Sequence, residues 1–143
     1  MNLCLLLSMP LNDIYINSSI FFYLADFGIS SLTSTSTTGM VGTIPYMAPD
    51  VVLVNPDRPY DTKVDIWSLG VCILELLTGK AAWGRIRDDE IMLRLRKGEK
   101  PYGFERMRKK AEFGWEAVDF LERCFAKDSE NRLSAEELLE VCI

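Results

Sequence analysis

The chain has 143 residues, enough for one domain with a modest core, and its 48% apolar and 26% charged content places it among soluble globular proteins. A formal charge of −5 argues against a nucleic-acid footprint, and the lack of any histidine excludes histidine triads and most zinc sites. Cys4, Cys72, Cys124 and Cys142 stand too far apart for a C-x-x-C pair, so reduced thiols of a cytoplasmic protein are expected rather than a metal site or a disulfide framework.

Met1–Leu11 is apolar but has no basic flank and no cleavage site of the secretory kind. Its run Leu3–Leu7 falls far short of the ~20 apolar residues that cross a bilayer, so no membrane partner is expected. Ile14–Ile16 and Ile20–Leu24 are rich in β-branched and aromatic residues, which predicts a small hairpin turning at Asn17-Ser18-Ser19. That tripeptide also matches a glycosylation acceptor, but without secretion it reads as a polar turn. Ser30–Thr43 is mostly Ser, Thr and Gly and carries neither helical nor strand period, so it is a polar loop. Pro45, Pro49, Pro56 and Pro59 punctuate the irregular stretch that follows. The charge is uneven. All 16 basic residues lie at or after Arg58, and the only acids before it are Asp13, Asp26, Asp50 and Asp57.

From Thr62 the period becomes helical, with Thr62 and Asp65 as an S/T-x-x-D/E start signal. The run to Thr78 is apolar on nearly every face, from Val64 through Trp67 and Val71 to Leu77, and such a helix belongs at the centre of a core. Asp65 and Glu75 argue against a membrane span, and Gly79 supplies the stop. Asp88-Asp89-Glu90 opens a second helix that Arg94, Arg96 and Lys97 close before Gly98, the charge order that complements a helix dipole. A third helix is expected from Trp115 to Ala126, with Ala117, Phe120, Leu121, Cys124 and Phe125 on one face. Ser134-x-x-Glu137 is a capping box for a last helix. The expectation is a mainly α chain: a small β-hairpin, a long polar loop, then four helices gathered around one buried helix.

Four motifs occur in order along residues 12 to 141. Leu24-Ala25-Asp26-Phe27-Gly28 resembles the D-F-G metal motif of protein kinases. Gly42-Thr43-Ile44-Pro45-Tyr46-Met47-Ala48-Pro49-Asp50 resembles their G-T-x-x-Y-M-A-P-E segment, and Asp65-Ile66-Trp67-Ser68-Leu69-Gly70 their D-x-W-S-L-G helix start. Arg132 stands where the family has a late arginine. The chain thus resembles the C-terminal lobe of a eukaryotic-type Ser/Thr protein kinase catalytic domain, of sterile-20-like or MAP-kinase-kinase-like type. On this reading residues 12–143 form a partial kinase domain, residues 1–11 match nothing, and the N-terminal lobe is missing.

The resemblance assigns roles residue by residue. Asp26 would hold magnesium against the phosphates of ATP, as metal ligand and cofactor-binding residue; the ordinary structural reading is an Asp that accepts a turn hydrogen bond. Ser30–Thr38 would be the activation loop, with Thr37 and Thr38 as phosphorylation candidates; a polar loop without a switch is the plain alternative. Thr43, Pro45 and Tyr46 would line a floor under the protein substrate, Thr43 being the threonine that separates Ser/Thr kinases from Tyr kinases; the plain alternative is a turn fixed by Gly42 and Pro45. Asp50 departs from the family's Glu by one methylene, and its expected partner is Arg132 in a buried ion pair that survives by a shift or a bridging water. Asp65 would bind backbone amides of the catalytic loop, with helix capping as a compatible second role, and Trp67 is core.

The resemblance also implies gaps. Counting back from Asp26 puts Asp13 at the Asn position of H-R-D-x-x-x-x-N and Ser8 where the catalytic Asp belongs; a one-residue slip puts Asn12 and Leu7 there. Neither alignment supplies a carboxylate base, and Asp13 reads more simply as a surface turn. The catalytic-loop lysine, the Gly-rich loop, the strand lysine and its helical Glu partner have no match, so no catalytic residue is assigned and this chain alone is expected to bind neither ATP nor magnesium. Three readings stand at this point. The first is a partial kinase domain whose parent family transfers the ATP γ-phosphate to Ser or Thr of proteins. The second is a non-catalytic, pseudokinase-like module that docks a substrate or regulator through Thr43–Asp50 and Asp88–Lys97. The third is a non-functional fragment with exposed apolar surface.

Overall fold

A computed structural model of the protein describes residues 4–5, 24–25, 42–53, 61–110 and 113–141. Cys4–Leu5 (β1) and Leu24–Ala25 (β2) form a short antiparallel ladder in the register Cys4 to Ala25 and Leu5 to Leu24. Among the described residues, then, Leu24 pairs with Leu5. The expected hairpin between Ile14–Ile16 and Ile20–Leu24 otherwise lies outside the described residues. A 3-10 turn, Ile44–Tyr46, leads to the short α1, Pro49–Val52. Then come α2 (Lys63–Thr78), α3 (Asp88–Lys97), α4 (Tyr102–Lys110), α5 (Trp115–Cys124) and α6 (Ala135–Val141), with a second 3-10 turn at Ser129–Asn131.

The central helix is α2. It packs against α4, α5 and the first 3-10 turn, while α3 packs against α1 and that same turn. Trp67, Val71 and Leu74 are wholly buried on its inner face. Trp67 meets Phe125 edge to face with ring centroids 5.1 Å apart, and Phe125 meets Phe104 of α4 in the same way at 5.4 Å. Such pairs add to the hydrophobic term from burying large rings. The last turn is less enclosed than an all-apolar pattern implies: Leu76 and Leu77 are about two-fifths exposed, at 41% and 39%.

Helix ends follow local chemistry, with three departures from expectation. Thr62 with Asp65 does not form the cap; Thr62 is already helical at φ −63°, and the orphan N–H of Lys63 donates instead to Asp61 Oδ1 at 2.8 Å. The third predicted helix ends at Cys124, two residues short of Ala126, with Phe125 as its cap. An extra helix, α4, occupies Tyr102–Lys110. Its signals are Pro101 just before it, Glu105 in the first turn and Arg108, Lys109 and Lys110 in the last. Gly103 and a sparse apolar pattern hide them. At the other sites the expected chemistry operates. Gly79 caps α2 at φ 62°, and Gly98 caps α3 at φ 75°. The α6 box is complete: Ser134 N donates to Glu137 Oε2 at 2.7 Å and Glu137 N donates to Ser134 Oγ at 3.2 Å. The Ser134 backbone bond lowers the Glu137 carboxyl pKa from its ordinary value, so the stabilisation from this cap is complete above the ordinary carboxylate pKa and is lost as pH falls through the lowered one.

The approach of α5 to α2 depends on Gly70. A β-carbon there would lie 2.7 Å from Cys124 Cβ and 3.1 Å from Phe125 Cε1, closer than packed atoms tolerate. Gly70→Ala should therefore destabilise the fold by ~1–3 kcal/mol despite alanine's better helix propensity. Urea unfolding measures this, and an unchanged or higher midpoint would refute the close packing.

Candidate functional site

Thr43–Asp50 lies against α2 as a strap, and its polar groups explain why. Gly42, at φ 124°, makes the turn into it in a conformation that only glycine adopts without strain. Tyr46 N donates to Thr43 O at 2.9 Å, closing the 3-10 turn, and Pro45 presets its φ. Thr43 is exposed and Pro45 and Tyr46 are half-buried, so the strap shows one polar face to solvent.

Three side chains hold the strap from below. Ser68 Oγ, inside α2, donates to Tyr46 O at 2.8 Å. The indole N–H of buried Trp83 donates to Pro45 O at 3.0 Å. Tyr46 OH donates to Glu75 Oε2 at 2.9 Å, while Glu75 Oε1 accepts from Ala82 N at 2.8 Å. Glu75 thus fastens both the strap and the turn after α2 to one carboxylate. Burial, followed by the hydrogen bond to Glu75 and its charge, pushes the Tyr46 phenol up to about 12. Burial and then the same carboxylate push the Cys72 thiol up to about 11, so Cys72 is no thiolate nucleophile at neutral pH.

At its far end the strap becomes α1, and there Asp50 meets Arg132 directly. Arg132 Nη2 lies 2.9 Å from Asp50 Oδ1 and Nη1 lies 3.1 Å from Oδ2, a two-pronged contact without a bridging water. The Arg132 side chain is wholly buried and that of Asp50 is 19% exposed. The remaining donors go to the carbonyl oxygens of Lys63, Ala126 and Lys127, and the guanidinium carbon sits 5.5 Å from the Trp67 ring.

The structure therefore brings Thr43, Pro45, Tyr46, Asp50 and Arg132 onto one strap and its anchor. Asp65, near the start of α2, is half-buried, and burial raises its carboxyl pKa. Asp26, Asp13, Ser8, Thr37 and Thr38 lie outside the described residues. Among the described residues no three Cys, Asp or Glu side chains gather in a way that would hold a metal ion. Sequence reasoning missed Ser68, Glu75 and Trp83 as holders of the strap. One signal was present: an acid such as Glu75 inside an apolar helix needs a partner when buried.

Comparison with known proteins bears on the same segment. Residues 11–141 match the family described as protein kinase domain. The chain is 33% identical over 121 residues to serine/threonine-protein kinase dst2 of Dictyostelium discoideum, covering 82% of this chain and 10% of that protein. It is 34% identical over 131 residues to serine/threonine-protein kinase hippo of Drosophila melanogaster, covering 90% of this chain and 18% of that one. With mitogen-activated protein kinase kinase kinase 4 of Homo sapiens it shares 32% over 136 residues, covering 90% and 8%. The chain thus spans less than a fifth of the length of these relatives.

Two outcomes follow from the geometry. Arg132→Ala leaves the largely buried Asp50 carboxylate without its partner and should cost ~3–5 kcal/mol, read as a large fall in thermal midpoint; an unchanged midpoint would reject the pairing. The folded Tyr46 phenol holds its proton more tightly than the ordinary value of 10.0, so its stabilisation is complete below pH 10 and is lost as pH rises toward about 12. A phenolate absorbance titration, taken as the difference from Tyr46→Phe, should show this late midpoint. In Glu75→Gln it should fall only part of the way, because burial is the larger cause.

Proposed function

The chain belongs to the protein kinase domain family, and on that premise we propose that it carries the substrate-holding part of a Ser/Thr kinase of the sterile-20 or MAP-kinase-kinase-kinase type. The mainly helical fold accords with the C-terminal lobe of such a domain. In this reading Thr43, Pro45 and Tyr46 form the floor on which the Ser or Thr of a protein substrate lies. The observation that carries the proposal is the fastening of that floor: Ser68, Glu75 and Trp83 fix three successive polar groups of the strap, and Arg132 fixes its end. Phosphoryl transfer draws most of its rate from positioning and electrostatics, so a pre-set floor is what the chemistry needs from this region.

ATP with magnesium, bound through Asp26, would supply the transferred γ-phosphoryl group in a complete domain. The proposal further holds that residues 12–143 are the kinase-like part, that Thr37 and Thr38 are the phosphorylation candidates, and that the protein works in the cytoplasm. It also holds that this chain by itself is inactive. Ser8 or Leu7 offers no base where the family has its catalytic Asp, and no cation precedes Arg58 to balance phosphate charge. A second reading, a non-catalytic docking module, draws on the same fastened floor, since the floor would hold a peptide without chemistry.

Purified chain with magnesium, ATP and a Ser/Thr-rich peptide should give no phosphate incorporation above background. Residues 12–143 fused behind the upstream half of a related kinase domain, one that brings its own H-R-D segment, should transfer phosphate. In that fusion Tyr46→Phe should raise KM for the peptide more than it lowers kcat. Magnesium-dependent incorporation by the unfused chain, lost in Asp26→Ala, would overturn the inactive reading. An inert fusion that binds peptide would favour the docking module.

A further inference from the structure

Away from the strap, α4 and the turn after α2 enclose a small hollow. Among the described residues Lys80, Gly103, Arg106, Met107, Lys110 and Phe113 line it, and no carboxylate does. Positions 103, 106, 107 and 110 fall on one face of α4 by helical spacing. Gly103 and Met107 are buried and form the base, whereas Arg106 and Lys110, one turn apart, are exposed at the rim. Lys80 belongs to the other wall.

Gly103 keeps the two walls close. Its N–H donates to Ala82 O at 2.8 Å, and a β-carbon there would stand 3.2 Å from that oxygen and 3.4 Å from Leu74 Cδ2. Electrostatics sets the hollow apart. The chain carries 21 acids against 16 bases, and Arg87, Arg94, Lys100, Arg108 and Arg123 each take a neighbouring carboxylate. The side chains of Lys80 and Arg106 enter no ion pair among the described residues, yet both face the same hollow. Helix-end attraction does not account for Arg106, because Arg108, Lys109 and Lys110 already occupy the last turn.

The volume of the hollow is about 60 Å³, against roughly 300–1,000 Å³ for sites that enclose a small molecule or cofactor. It therefore admits one charged group. Lys80 and Arg106 around one group call for more than a single carboxylate, and a phosphorylated hydroxyl carries about −1.5 to −2 charges with three strong acceptor oxygens. Met107 and Phe113 give the ester carbon an apolar seat. We propose that this hollow is a docking site for a phosphoserine or phosphothreonine segment of a partner protein. It is separate from the strap and stands whether or not the chain takes part in catalysis.

The test is fluorescence anisotropy of the full chain with a fluorescein-labelled peptide bearing one phosphoserine, and with its unphosphorylated twin. The phosphopeptide should bind about tenfold tighter or better, and Arg106→Gln and Lys80→Gln should each weaken it about tenfold, the scale of one lost charge-assisted hydrogen bond. Both changed positions are exposed, so thermal midpoints should stay at the parent value. Lys109→Gln removes an exposed charge from the same helix outside the hollow and should leave binding unchanged. Equal loss in Lys109→Gln would mean diffuse charge attraction and overturn the proposal. So would inorganic phosphate competing as well as the phosphopeptide, which would mark an adventitious ion only. Binding to phosphatidylserine vesicles without preference for the phosphopeptide would assign the surface to a lipid headgroup and overturn it as well.

Discussion

The Arg132 guanidinium is completely buried, and the architecture around it is the set of groups that make this tolerable. A charge taken out of water costs several kcal/mol unless opposite charge and hydrogen-bond acceptors replace the solvent. Here the replacements come from three places far apart in sequence: Asp50 at the start of α1, the Lys63 carbonyl at the start of α2, and the Ala126 and Lys127 carbonyls after α5. Meeting one planar cation fixes those three places relative to one another. The strap that ends at Asp50 is thereby placed against α2 before any of its own contacts are counted.

The other end of the strap is set by α2 itself. Its apolar inner face must be covered, and Trp67, Val71 and Leu74 take that cover from α4 and α5. Its few polar side chains are then free to work where the apolar ones cannot. Ser68 reaches the Tyr46 carbonyl, and Glu75 divides its two oxygens between Tyr46 and Ala82. A hydrogen-bonded network inside a packed structure is demanding because every member left unmatched would carry a desolvation penalty. That demand is what gives the strap one conformation and raises the phenol and thiol beside it.

Much of this was legible from residue order, but unevenly. The four expected helices appear, and Gly79, Gly98 and the Ser134–Glu137 box end or begin them by the chemistry their residue types imply. The Thr62–Asp65 signal failed because Asp61, one residue earlier, offered an acceptor with better reach to Lys63 N. The α4 helix was hidden because its apolar face is narrow and contains a glycine whose value is close approach to Ala82, a tertiary reason. In the site, the Asp50–Arg132 partnership came from motif resemblance; that the shorter Asp still makes a direct two-pronged contact required the positions of both chain segments.

Local patterning, helix-end chemistry and the ordered motifs are written in nearest neighbours and fixed spacings, so the sequence by itself determined the helical character, the identity of the central helix and the kinase family. The pairs that hold the strap join residues from 22 to 82 positions apart. Nothing local encodes which buried acid meets which buried donor over such separations. Only the packed structure decided that Glu75 and Trp83 serve Tyr46 and Pro45, because desolvation favours a buried polar group that finds a partner among whatever the fold has brought within reach.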